Sequence, residues 1–252
     1  TWGRGTSAID INSGNAERAC AGSEGQRDGL SQNVAEGNGG SDIILGGPAG
    51  DGLDGGADFD YVYGNGDADV VLGGPGDDYL YGGAGVDNID GGAGSDHVYG
   101  DDGDDVLAGG NDNDFLYGGA GADNLNGGSG NDALYGGSGA DNPTGGAGAD
   151  TFFFTAQSDS PFGGGDHILD FRRAQGDKID LTAIDANSVL AGDQAFSIVG
   201  SFSHVAGQMT ITSLSGGAQS LLQMDLNGDG VADMWVLVDQ GGTQITNVDL
   251  FL

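Results

Sequence analysis

The chain is predicted to be all-β: a two-sheet parallel solenoid of nine-residue units, capped by a C-terminal antiparallel β-domain. Three observations carry that prediction. Of 252 residues, 55 are glycine, roughly three times the usual share of about 7%. Acidic residues number 39 against 6 basic ones, for a formal net charge of −33. Both features oppose ordinary folding, through backbone entropy and self-repulsion. The third observation resolves the conflict. Residues 37–153 divide without insertion or deletion into thirteen units of nine, and a fixed internal period signals stacked supersecondary units.

A poorly periodic lead-in, residues 1–36, precedes the array, with Ala8-Ile-Asp-Ile expected as a strand entering it. The lead-in shows no basic start followed by an apolar run, so no cleavable secretory signal is visible. It reads as the continuation of a preceding domain. Its Cys20 is the only cysteine and has no internal disulfide partner.

Every unit of the array, residues 37–153, begins with glycine and carries aspartate at position six: Asp42, Asp51, Asp60, Asp69, Asp78, Asp87, Asp96, Asp105, Asp114, Asp123, Asp132, Asp141 and Asp150. Position eight is apolar, from Ile44 to Phe152, except at Pro143. A glycine-rich hexapeptide closed by aspartate makes a tight turn. Three residues with an apolar centre make a short strand, position eight facing one way and its neighbours the other. Such a strand buries almost nothing alone and must stack on others. One turn per strand reverses the chain, so two units complete a coil of eighteen residues.

That longer period is also present independently. Tyrosine occupies position nine at Tyr63, Tyr81, Tyr99, Tyr117 and Tyr135, whereas the intervening units carry Leu72, Asp90, Ala108, Asn126 and Thr144. The two sheets therefore have different outer faces. The tyrosine column reads as a ladder of stacked rings, or as a surface for carbohydrate or a partner protein. Pro143 lacks an N–H and is expected to make the last coils irregular. Asp58, Asp67 and Asp112 stand where most units have glycine at position four and are expected to distort or enrich their sites.

Stacked coils bring aspartates of alternate units one strand spacing apart, in two columns. Bare carboxylates that close repel and raise one another's pKa. The array holds 22 of the 39 acids and no lysine or arginine, so a bound cation has to neutralise it. Ca²⁺ suits the site, taking six to eight oxygens in forgiving geometry, carbonyls of glycine turns included. Mg²⁺ demands a stricter octahedron. Zinc prefers nitrogen and sulfur, and the array offers one histidine, His97, and no cysteine.

The pattern GGxGxDxUx, seen in Gly82-Gly-Ala-Gly-Val-Asp-Asn-Ile-Asp, resembles the calcium-binding nonapeptide repeat of the repeats-in-toxin (RTX) family. The resemblance implies a parallel β-roll in which each ion is shared by position-six aspartates of units two apart, such as Asp78 with Asp96. Turn carbonyls complete the shell, with Gly40, Gly76, Gly85, Gly94, Gly103, Gly121, Gly130 and Gly139 at position four in the ligand set. Thirteen units allow eleven such pairs, and about eight to eleven ions are expected from the ligand count.

Beyond the array, residues 154–252 show ordinary β signals, with strands expected over 167–171, 178–181, 195–202, 208–214, 221–226, 234–238 and 245–251. They are expected to cap the open end of the solenoid, which otherwise exposes unpaired backbone groups. The run Asp150-Thr-Phe-Phe-Phe, then Asp166-His-Ile-Leu-Asp-Phe, Gly176-Asp-Lys-Ile-Asp-Leu and Asp225-Leu-Asn-Gly-Asp-Gly-Val-Ala-Asp, resembles the C-terminal domain of serralysin-type secreted metalloproteases. Asp225, Asn227 and Asp229, followed by Gly230, match the first half of an EF-hand loop. Val236 stands where its bidentate glutamate belongs, and Asp233 is the available substitute. A calcium ion and a plain hairpin turn are both open there. The final Asp249-Leu-Phe-Leu resembles the extreme C-terminal motif of proteins exported by one-step type I secretion, and reads equally as the last strand of the cap.

Several functions are excluded. Nucleic-acid binding needs a basic surface, and the apolar runs are too short for a membrane helix. His97, His167 and His204 are the only histidines and none lies in His-Glu-x-x-His, nor is there a Gly-x-Ser-x-Gly elbow. The expectation is a non-catalytic, monomeric, extracellular module that folds on calcium after passing a type I exporter. The alternative is the C-terminal part of a secreted serralysin-like metalloprotease or polysaccharide-modifying enzyme.

Overall fold

The computed structural model describes residues 7–10, 34–187, 194–241 and 244–252. Two parallel sheets lie face to face. One has ten strands, in the order Ser7–Asp10, Asp42–Leu45, Tyr61–Gly66, Tyr79–Ala84, His97–Asp102, Phe115–Gly121, Ala133–Gly139, Thr151–Phe153, Lys178–Asp180 and Leu250–Phe251. The other has seven: Val34–Glu36, Gly52–Asp54, Val70–Pro75, Asn88–Ala93, Val106–Asn111, Asn124–Ser129 and Asn142–Ala147. Successive units alternate between the sheets, and partners are eighteen residues apart, as in Leu80 opposite Val98 and Leu107 opposite Leu125. This is the two-unit coil that the tyrosine spacing predicts. The expected entry strand is also present, since Ser7–Asp10 pairs in parallel with Asp42–Leu45. Cys20, Arg4, Arg18 and Arg27 lie outside the described residues.

Most strands have six residues rather than the three expected, for example Tyr79–Ala84 and Asn88–Ala93. The ladder continues through position one into positions two and three, so that Gly74 still pairs with Gly92. Glycine makes that possible. Gly92 has φ +104°, and a Cβ there would collide with the Gly74 carbonyl. Where Asn or Asp replaces glycine at positions two and four, Asn38, Asn65 and Asp101, and Asp58, Asp67 and Asp112, adopt φ between 64° and 79°. Asn and Asp visit this left-handed region more readily than other side chains. The three position-four aspartates thus keep the turn rather than distort it.

Position eight forms the core. From Ile44 to Leu134 these side chains are at most 2% exposed, and the line continues through Phe152, Phe154, Ile168, Phe171, Ile179 and Leu181 into the cap. Pro143 does not disturb the array: Asn142–Ala147 keeps its eighteen-residue register, with Pro143 opposite Leu125. Asn142 donates its N–H to Asp123 in the neighbouring coil. The nitrogen of the next residue points the other way, toward Leu169, whose N–H bonds the Pro143 carbonyl, so no bond to the neighbouring coil is lost.

The cap contains a five-stranded sheet in the order His167–Ile168, Met234–Asp239, Gln219–Asp225, Gln208–Leu214 and Ser197–Ile198. Its three central strands are antiparallel and its two short outer strands pair in parallel. The strand expected over 208–214 has those bounds, whereas 195–202 shortens to Ser197–Ile198. Over 245–251 the expected strand is reduced to its last two residues, behind a 3-10 turn at Asn247–Asp249. Leu250–Phe251 then joins Lys178–Asp180 and completes the ten-stranded sheet. Asp249 is buried there, its carboxylate 3.0 Å from Arg173 Nε.

Candidate metal centres

The thirteen position-six aspartates are all buried, none more than 5% exposed. From Asp60 onward each carboxylate looks toward the preceding coil. Asp60 donates its backbone N–H to Asp78 Oδ1 at 2.8 Å, Asp78 to Asp96 at 2.7 Å and Asp96 to Asp114 at 2.8 Å. Eleven such bonds, each spanning eighteen residues, join the aspartates into two columns. One column runs from Asp42 to Asp150 and the other from Asp51 to Asp141.

The second oxygen is treated differently. In the eleven units from Asp60 to Asp150, Oδ2 is buried and accepts no hydrogen bond. Asp51 departs from this pattern, its Oδ2 accepting the Gly47 N–H at 2.6 Å. The position-one glycine leaves space in front of the orphaned oxygen. A Cβ on Gly73 would lie 2.6 Å from both Asp78 Oδ2 and the Gly91 carbonyl oxygen. The cradle is therefore lined by oxygen and left open by the missing side chain. Position-four carbonyls approach the next turn as closely, since a Cβ on Gly94, Gly103, Gly121 or Gly139 would collide with the carbonyl of Gly76, Gly85, Gly103 or Gly121. Gly76, Gly85 and Gly130 stand in the same relation to Asp58, Asp67 and Asp112. Gly40 donates its N–H to Ala57.

A buried carboxylate oxygen without a partner disfavours the charged form. Desolvation pushes Asp60, Asp69, Asp96, Asp105 and Asp123 up to about 7 and Asp114 to about 8. Asp78, Asp132 and Asp141 rise to about 6, and Asp87 and Asp150 are also raised. The N–H bond to Oδ1 pulls the other way in each case, and neighbouring aspartates such as Asp78 beside Asp96 add to the rise. A cation between the coils relieves both effects at once. Among the described residues no three acidic, His or Cys side chains converge on one point. An ion here would take few carboxylates and fill its shell with turn carbonyls, a donor set that fits Ca²⁺.

Two aspartates outside the thirteen continue the columns. Asp141 donates its N–H to Asp166 Oδ1 at 2.9 Å, and Asp150 donates to Asp177 Oδ1 at 3.2 Å. Burial lifts Asp166 to about 9 and Asp177 to about 6. Residues 161–169 and 172–180 are thus degenerate units, aspartate at position six and isoleucine at position eight, with seven and two residues inserted before them. The shared Asp-x-Ile triplet is the sequence signal for them, masked by the broken nine-residue spacing.

The loop of Asp225, Asn227, Asp229 and Asp233 joins two cap strands. Asp225 accepts the N–H groups of Gly228 and Gly230, Asn227 that of Asp229, Asp229 that of Val231, and Asp233 those of Leu226 and Asn227. Side-chain oxygens here already have backbone partners, unlike the orphaned oxygens of the roll. Of the histidines, His97 lies in the outer face between Tyr79 and Phe115, His167 Nε2 is 3.1 Å from Asp239, and His204 contacts the Asp229 carbonyl. On that outer face Tyr63, Tyr81 and Tyr99 stack at 4.8 Å spacing, with interplanar angles of 4° and 5°.

The sequence model of the family described as Peptidase M10 serralysin C terminal matches residues 31–252. Among solved structures, the solution structure of the AlgE6R3 subunit from the Azotobacter vinelandii mannuronan C5-epimerase is 31% identical, covering 63% of this chain and 80% of its own, with a TM-score of 0.43. The AlgE6R2 subunit of that epimerase is 27% identical, covering 62% and 91%, with a TM-score of 0.46. The extracellular lipase LipA from Serratia marcescens is 18% identical, covering 86% of this chain and 41% of its own, with a TM-score of 0.38. No curated protein matches the chain.

Proposed function

The chain belongs to the Peptidase M10 serralysin C-terminal family, and from that premise we propose that it is a calcium-binding module that folds after secretion and stabilises an extracellular protein. The observation that carries this reading is the row of buried, unpartnered Oδ2 atoms from Asp60 to Asp150. Metal-free, the roll must either protonate these groups or bury charge, and both oppose folding at neutral pH. Calcium binding then becomes folding free energy. In a cytoplasm poor in calcium, the acidic chain stays extended and able to thread a type I exporter. Outside, ions fill the columns and the emerged chain cannot slip back.

In this reading residues 37–153 are the calcium roll, 1–36 lead into it, and 154–252 form the cap with the export signal at Asp249–Leu252. About eight to eleven ions follow from the eleven aspartate pairs. Asp225, Asn227, Asp229 and Asp233 are a weaker candidate, because a metal there has to compete with backbone N–H groups. The role is that of a repeat domain rather than a catalytic one, serving a hydrolase or polysaccharide-modifying enzyme.

Far-UV circular dichroism during a calcium titration tests the reading. The β signal should appear on adding calcium and vanish on chelation; a spectrum indifferent to chelation at pH 7.5 overturns it.

A further inference from the structure

The two columns end in different ways. Past Asp141 the chain supplies Asp166, 2% exposed, whose Oδ1 takes the Asp141 N–H. His167 donates its N–H to the Asp141 carbonyl at 2.8 Å, as His97 does to Asp78 within the roll. Asp141 Oδ2 remains buried and unpartnered. The intervening turn, Pro161-Phe-Gly-Gly-Gly-Asp166, is glycine-rich, and a Cβ on Gly163 or Gly164 would meet nothing within 4 Å.

The Asp150 end has the same backbone arrangement, with Lys178 donating its N–H to the Asp150 carbonyl. Its turn is furnished differently. Asp150 Oδ2 is buried and unpartnered like that of Asp141, and burial raises its pKa, but here a cation stands close by. Arg172 Nη1 donates to the Gly146 carbonyl at 2.8 Å, lies 3.8 Å from Asp170, and partly offsets the rise at Asp150. Both Asp177 oxygens are engaged, by the N–H groups of Asp150 and Arg172. Asp170 takes the N–H groups of Gly145 and Gly146. The other described cations are committed elsewhere, Arg173 to Asp249 and Lys178 to the Val248 carbonyl. Among the described residues no lysine or arginine is therefore left for Asp141 and Asp166.

Resting on the calcium reading above, we propose that one column carries a calcium site beyond the thirteen repeats, between Asp141 and Asp166, whereas the other ends at Asp150 and Asp177 with Arg172 in place of an ion. The extra site ties the cap to the roll, because Asp166 leads directly into His167–Ile168 of the five-stranded sheet. The turn of Asp177 needs no ion to close.

Anomalous scattering from calcium-grown crystals of the unmodified chain tests both halves. A peak is expected beside Asp141 and Asp166 and none between Asp150 and Asp177. Peaks within the roll, as at Asp78 and Asp96, without one at Asp166 overturn the extra site; a peak at Asp177 overturns the arginine substitution. If the roll itself shows no peaks, the calcium reading fails and this inference with it. Bound calcium per chain, counted by native mass spectrometry, provides a second readout. Asp166→Asn should lose one ion, Asp177→Asn none, and Arg172→Gln should gain one, with Asp96→Asn as the in-roll control. An Asp166→Asn count equal to the parent, alongside a loss in Asp96→Asn, overturns the extra site.

Discussion

Each nine-residue unit of the roll commits one apolar side chain to the core and sets a buried carboxylate two residues before it, as Asp114 precedes Leu116. The cap strands bury more per length. Met234, Val236 and Val238 are fully buried within Met234–Asp239, and Leu222 and Met224 within the strand beside it. Acids of the cap loop accept backbone N–H groups, whereas those of the roll keep one oxygen bare. The cap thus resembles an ordinary small β-domain, stabilised by apolar burial. The roll commits its inner surface to turns and carboxylates, and under the calcium proposal its stability depends on the ions between them.

Chelation should expose the largest difference. Hydrogen exchange at neutral pH is expected to lose protection throughout the roll, at Leu80 and Leu107, while amides of Gln219–Asp225 stay protected longer. Simultaneous loss at the same calcium concentration would erase the distinction.

Core truncation comes next. Leu107→Ala and Val236→Ala remove buried side chains at matched exposure, and substitutions of this kind cost about 1–5 kcal/mol. Ligand that binds only the folded state adds stability with concentration. Raising calcium should therefore restore the denaturation midpoint of Leu107→Ala and leave that of Val236→Ala largely unchanged. Equal rescue of both would show that the cap, too, is held by ions.

A pH series separates the regions further. The roll aspartates rise from 3.8 to about 6–8 in the metal-free fold. A raised carboxyl contributes stability that is fully present below pH 4 and is lost as pH climbs through 6–8. The metal-free roll should therefore loosen across that window, while calcium, which displaces those protons, binds more tightly. A calcium midpoint constant from pH 5.5 to 8.5 contradicts this.

The smallest effect concerns the two outer faces. Tyr81→Ala interrupts rings stacked at 4.8 Å and should cost about 0.5–1.5 kcal/mol. Asn126→Ala, on the opposite face, should stay within about 0.5 kcal/mol. Thermal melts in saturating calcium decide whether the ladder supports its sheet.

The roll was largely legible because it repeats. A local preference stated once is weak, but aspartate at every sixth position and an apolar residue at nearly every eighth leave one register that buries all of them together. The alternation of Tyr81 with Asp90 was enough to give the two-unit coil. Strand length is not legible in the repeat, because the part glycine plays is invisible until two turns stack and Gly74 lies against Gly92.

The sequence by itself determined the period, the inward face and the alignment of the acids, since each follows from residue type and spacing within one unit. Tertiary structure decided the rest. It returned Leu250–Phe251 to the edge of the roll sheet, turned Pro143 toward Leu169 rather than toward the neighbouring coil, and set Asp166 and Asp177 one coil beyond Asp141 and Asp150. Those placements join residues across irregular separations of 25, 27 and about 70 positions. No local pattern encodes such distances; backbone groups at the end of the roll need partners, and only the folded chain shows which residues provide them.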